Sequence, residues 1–220
     1  AMNDPHRLEW YKATIGHNGV LVNDKGQTFD SEGYGWISRF LDGRSLSYAV
    51  GDASMAYGGQ DKTTLKKFKR HLLFLHPDIV VVYDELEAAS PSTWKWLIHS
   101  PRKISLDTAK NEFYCALGNA AAASSFFSSQ PVKWGLTDTF AVAVDNWVGS
   151  RDENGKLYGS DKEWHLTAAT QPSEKMRFLA VIQLRTGSQQ NDRTANYHFN
   201  DKKELVVGNW TIKAQLDAAK

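Results

Sequence analysis

Around residue 77 the chain changes its pattern of apolar and polar positions. Along Arg70–Leu75, His71, Leu73 and Leu75 fall on one side of an extended strand, and Arg70, Leu72 and Phe74 on the other. Ile79–Tyr83 is instead continuously apolar and β-branched until its tyrosine, the pattern of a strand buried on both faces. Pro77-Asp78 punctuates the two runs as a turn. A strand buried on both faces has to be layered against other structure, and a second sheet is expected.

Strand-like runs recur along the rest of the chain. They are read at Gly19–Asn23, Gly35–Leu41, Leu46–Val50, Lys66–Leu75, Ile79–Leu86, Thr93–His99, Glu112–Leu117, Ser124–Ser128, Phe140–Val144, Trp164–Thr170, Arg177–Leu184, Glu204–Val207 and Trp210–Gln215. Turn residues separate them, at Asn23-Asp24-Lys25-Gly26, Leu41-Asp42-Gly43, Ala89-Ser90-Pro91, Glu153-Asn154-Gly155 and Gly208-Asn209. A short helix is expected only at Asn119–Ala123, and Gly187–Thr194 reads as a polar loop. The fold expected is all-β, a large layered antiparallel β-sandwich with few or no helices. Residues 1–18 read as an extended linker segment arriving from an upstream domain, and residues 19–220 as one sandwich domain.

Composition narrows the function classes. The 220 residues carry a formal net charge of +1 and no basic run, which argues against nucleic acid. No apolar run approaches a membrane span, and no signal-peptide pattern opens the sequence as given. The single cysteine, Cys115, excludes an intramolecular disulfide and reads as a small core residue. Eight Trp, eight Tyr and ten Phe suit both a large β core and stacking on sugar rings.

Candidate chemistry lies in the histidines and acids. His76, His165 and His198 read as isolated, and His99 as a satisfied strand-end residue. His17 stands just before a strand, Asp52 just after one, and His71 early in a third; two imidazoles and a carboxylate suit a divalent ion such as zinc with one position open. The alternative is three unrelated polar residues. Asp84 and Glu85 are adjacent on a strand and face opposite ways, which disfavours the facing carboxylates of a glycosidase. Asp84 reads as a structural acid paired with Arg70.

The motifs, in order, resemble a known family. His17-Asn18-Gly19-Val20-Leu21-Val22-Asn23, Gly51-Asp52-Ala53-Ser54 with Ala56-Tyr57, Arg70-His71-Leu72-Leu73-Phe74, Asp78 to Asp84, and Trp96-Leu97-Ile98-His99-Ser100 resemble the C-terminal β-sandwich of heparinase II/III-like polysaccharide lyases. The likeness is to the branch of oligoalginate lyases and dermatan sulfate epimerase. The resemblance implies an upstream α/α toroid as partner domain and a cleft between the two domains. It also implies β-elimination of a uronic-acid polysaccharide, a glycosaminoglycan or alginate, in a periplasmic or secreted bacterial enzyme. It assigns His17, Asp52 and His71 as ligands of a zinc ion. The family's histidine two residues before the His-Asn pair is replaced by Ile15, so His6 is the nearby candidate for the catalytic role. The sandwich then braces the toroid, contributes a histidine to the cleft and is inactive alone. The competing expectation is a non-catalytic carbohydrate-binding sandwich, with Trp36, Trp94, Trp96, Trp134, Trp147 and Trp164 as candidate platforms.

Overall fold

The structure, a computed structural model, describes residues 6–58, 65–142, 153–155, 163–189, 196–202, 204–214 and 216. Its centre is an eight-stranded antiparallel sheet. The strands are β2 (Trp36–Asp42), β3 (Leu46–Asp52), β4 (Leu65–Leu75), β5 (Ile79–Ser92), β7 (Ser105–Asp107), β8 (Glu112–Leu117), β9 (Ala120–Ser128) and β12 (Ser173–Thr186). They run in the order β2-β3-β4-β5-β12-β9-β8-β7. A four-stranded sheet covers part of one face. It contains β1 (Val20–Val22), β6 (Trp94–Ser100), β10 (Val132–Thr137) and β11 (Trp164–Thr170), in the order β1-β6-β11-β10. A three-stranded sheet of β13 (Tyr197–Phe199), β14 (Leu205–Val207) and β15 (Trp210–Ile212) covers part of the other. The layered all-β expectation holds, with three layers rather than two.

The two apolar cores explain the pattern around residue 77. One, with Phe68, Leu86, Trp94, Trp96, Phe126, Leu166, Met176 and Phe178, fills the space between the eight- and four-stranded sheets. The other joins Leu75, Ile79, Val81, Tyr83, Leu179 and Val181 to Leu205 and Val207 of the small sheet. β5 lies between β4 and β12 and feeds both: Val82 packs into the first core, Ile79, Val81 and Tyr83 into the second. Its unbroken apolar run therefore has an owner on each face.

Several expectations are corrected. Asn119–Ala123 is not helical: after a turn at Gly118, where φ is +61°, the alanines enter β9 and pair with β8 on one side and β12 on the other. Ladder bonds on both edges outweigh alanine's modest helix preference. Ala89-Ser90-Pro91 is no turn, because β5 runs through to Ser92. Strands β7, β10 and β13 were not anticipated. Residues 140–142 are not in a strand, and 143–144 lie outside the described residues, as do 190–194 of the expected polar loop. Cys115 is a half-buried free thiol on β8 against the first core.

The N-terminal segment also departs from an extended tail. Arg7–Tyr11 forms a π-helical turn and Thr14–Gly16 a 3-10 turn. His6 and Trp10 are both buried. A Cβ on Gly16 would meet the Trp10 carbonyl oxygen at 2.5 Å, so only glycine lets the two turns close on each other.

Candidate functional site

The site is built where the N-terminal turns meet the edge of the large sheet. A cleft of about 740 Å³ lies there, walled by Tyr11, Lys12, His17 and Asn18 on one side and by Trp36, Gly51, Asp52 and Arg70 on the other. Tyr11 and Trp36 are exposed, and Tyr34 packs beside Trp36 with ring centroids 5.7 Å apart. Lys12 stands 5.6 Å over the Phe29 ring. The cleft thus offers aromatic surface, a cation and an imidazole together.

His17 is held by both sheets through its neighbour. From β4, Arg70 donates to the Asn18 carbonyl and forms a two-pronged pair with Asp84, Nε to Oδ1 and Nη2 to Oδ2 at 2.7 Å each. Asp84 is fully buried. Burial opposes the guanidinium's charge, but the Asp84 carboxylate outweighs it and holds Arg70 above its ordinary pKa. From β6, the His99 amide donates to Asn18 Oδ1 at 2.8 Å. Leu97 N–H donates to the Gly19 carbonyl at 3.0 Å. His17 Nε2 lies 2.9 Å from the Tyr11 carbonyl oxygen, which only accepts. A neutral His17 therefore carries its proton on Nε2 and keeps Nδ1 as the lone pair.

The expected residues do not form one centre. His17 and Asp52 share the cleft, but Asp52 Oδ1 accepts from Ser54 N and Oγ at 3.0 and 2.6 Å. His71 is on the other face of β4 from Arg70, beside a separate cavity of about 340 Å³ lined by Tyr48, Tyr83 and Glu85. Tyr48 O–H lies 2.7 Å from His71 Nδ1, and Glu85 Oε1 is 3.2 Å from Nε2. Burial lowers the His71 pKa despite Glu85. Among the described residues no three His, Cys, Asp or Glu side chains form a group that could hold a metal ion. The set His17, Asp52 and His71 does not fit a single zinc ion.

His6 is likewise away from the cleft. It is buried, and its Nδ1 donates to the Val142 carbonyl at 2.7 Å. Its ring packs edge-on against Phe140 at 4.7 Å and belongs to a nest with Trp10, His99 and His165 on the outer side of the four-stranded sheet. Sequence reasoning took His165 as isolated and gave Asn18 no role of its own. The signal for Asn18 was its place between a histidine and a strand-opening glycine, where a side-chain amide can bond a neighbouring strand. The Arg70–Asp84 pairing stands as expected.

Comparison with known proteins identifies the class. The family described as heparinase II/III-like, C-terminal, matches residues 1–202, and the chain belongs to that family. In fold the chain is similar to heparinase III (the BT4657 gene product, with methylated lysines), with TM-score 0.67 and 12% identity over 90% of this chain and 29% of that one. It is similar also to heparan sulfate lyase HepC from Pedobacter heparinus, with TM-score 0.65 and 11% identity over 90% of this chain and 29% of that one. The chain spans about three-tenths of the length of these proteins. No curated protein matches it.

Proposed function

We propose that this chain is the sandwich domain of a lyase that cleaves a uronic-acid polysaccharide by β-elimination, and that it supplies one wall of the substrate cleft without being active alone. The observation that carries the reading is the cleft where His17, held from both sheets through Asn18, faces Trp36 across the edge of the large sheet. In β-elimination a base takes the proton beside the carboxylate and an acid protonates the departing oxygen. His17, with a lone pair on Nδ1, is the group the sandwich contributes to that transfer. Lys12 offers the carboxylate a positive charge, and Trp36 and Tyr11 offer ring faces. The remaining proton-transfer groups come from an upstream helical toroid in the same protein, working in the periplasm or outside the cell.

A bare half of the large sheet supports the bracing role. Phe40, Ala49, Leu72, Val82, Ala180 and Phe126 form one row across five strand pairings. Exposure falls from 70% at Phe40 and 43% at Leu72 to 1% at Ala180 and Phe126. The apolar row thus continues past the end of its covering sheet, where the toroid would complete it.

The test compares the chain alone with the same chain joined to its upstream domain, on heparan sulfate and alginate, reading the absorbance of the unsaturated product. The joined protein is expected to be active and to lose at least 100-fold of kcat with His17→Ala. Product formed by the chain alone would overturn the reading. A second reading, a carbohydrate-binding module, draws on the exposed Tyr34–Trp36 pair. It requires the isolated chain to bind neutral and acidic oligosaccharides, with binding lost in Trp36→Ala.

A further inference from the structure

The outer side of the four-stranded sheet carries a nest of imidazoles with unusual neighbours. His99 and His165 are directly paired on β6 and β11, with ring centroids 5.0 Å apart. Trp10 sits on both, 4.6 Å from the His165 ring and 6.0 Å from that of His99, and Phe140 packs 5.7 Å from His165. His6 extends the nest through Phe140 and Tyr11, each 4.7 Å away. His165 is 5% exposed, yet neither ring nitrogen has a hydrogen-bond partner among the described residues. His99 Nε2 donates to the Ile15 carbonyl at 3.0 Å, which ties the second N-terminal turn to the same pair, and its Nδ1 lies 3.1 Å from Asn18 Oδ1, a second acceptor.

The two acceptors at His99 favour a charged ring, but burial and the facing His165 outweigh them, so the seat on balance disfavours charge. Two imidazolium rings at 5.0 Å would repel each other beneath an indole, with little water to screen them. The acids facing the nest offer limited relief. Glu163 Oε2 is 4.0 Å from His165 Nδ1, but its carboxylate accepts from the Trp10 side chain, and burial raises its pKa, so it loses charge as acid is added. Asp138 favours a charged His165, while His17 adds a further charge against His99 when protonated.

We propose that residues 6–17 form an acid-opened clasp: charging His99 and His165 unseats Trp10 and withdraws Tyr11 and Lys12 from the cleft wall. The clasp goes beyond the lyase reading and does not depend on it. Burial and the His165 neighbour push His99 down to about 4, and burial also lowers His165. Above the ordinary histidine value of 6.5 the rings are neutral in both states and the clasp has its full stability. As pH falls from 6.5 toward 4, only the opened state takes up protons, so the closed state loses ground; below about 4 the loss levels off. At pH 5 the shift at His99 alone favours opening roughly 30-fold.

The experiment follows the indole N–H signals of the eight tryptophans by NMR from pH 7.5 to 4.5, with Trp10 assigned by its loss in Trp10→Phe. Trp10 is expected to shift to a solvent-exposed position while the signals of buried Trp94 and Trp96 stay in place. In the double variant His99→Gln/His165→Phe the opening constant at pH 5 should fall at least 10-fold. A Trp10 signal fixed down to pH 4.5 in a folded chain, or an unchanged opening in the folded double variant, would overturn the clasp. If that variant does not fold, the ring C–H titrations of the unmodified chain decide. Midpoints near 6.5 for both histidines with Trp10 still seated refute the clasp; depressed midpoints that track Trp10 movement support it.

Discussion

Arg70 and His71 are neighbours on one strand, and the pleat sends them into networks of opposite character. On Arg70's face, among the described residues, there is one ion pair, made to a fully buried carboxylate, and Arg70 Nη1 reaches the loop that carries His17. On His71's face the charges form a ladder. Lys67 lies 2.5 Å from Glu85 and 3.9 Å from Glu87, Lys69 lies 3.8 Å from Asp52, and Arg177 lies 3.2 Å from Glu87. Those carboxylates keep 11–27% of their side-chain surface in solvent. The first network fixes a position and has no substitute. The second has several near-equivalent pairings, so losing one leaves the others.

Asp84→Ala breaks this contrast most sharply. It leaves a guanidinium largely enclosed and unpaired, and removal of one partner from such a pair costs about 3–5 kcal/mol. The low end, about 3 kcal/mol, is expected because Arg70 keeps some solvent contact. Urea unfolding should show the lower midpoint with an unchanged slope. The double variant Arg70→Met/Asp84→Leu, which removes both charges, should recover much of that loss. It should still displace the His17 ring signals in NMR, because nothing then holds the Asn18 carbonyl. If the double variant leaves His17 unmoved, Arg70–Asp84 is a stability element and no more.

The pair at residues 70 and 84 was legible because alternation and turn position together fix register. Reflecting the first run about Pro77 sets Arg70 opposite Asp84, as observed. The same parity separates His71 from the Arg70 face, and hence from His17, so the three-residue metal set conflicted with the strand pattern that suggested the fold. Other features depend on contacts that no local pattern encodes. Trp10, His99 and His165 meet only because β6 and β11 are paired and a π-turn folds over their outer side. The alanine run at 120–123 leans toward helix by itself, and pairing with its neighbours overrides that.

Smaller effects sharpen the other half of the comparison. Truncating Lys67 and Glu85 singly and together should give a coupling energy of about 0.2–1 kcal/mol, since both side chains are partly solvated. Raising salt from 0.05 to about 1 M should erase most of it. A coupling above about 2 kcal/mol would place this ladder with the buried pair rather than against it.

The smallest effect in the isolated chain belongs to Phe40, and there the smallness is informative. At 70% exposure on an edge strand it has little burial to lose, so Phe40→Ser should change stability by less than about 0.5 kcal/mol. Leu72→Ser, at 43% exposure in the same row, should cost somewhat more. A sequence selected only for the isolated sandwich has no use for a phenylalanine and a leucine exposed in one cross-strand row with only Ala49 between them. Their placement makes sense if another apolar surface completes the row. The discriminating measurement therefore repeats both variants in the chain joined to the proposed upstream domain. Domain docking there, read by protection of β2 and β4 amides from hydrogen exchange, should weaken at least tenfold. Equal and negligible effects in both settings would remove Phe40 and Leu72 from any interface and leave the bare half of the sheet without a bracing role.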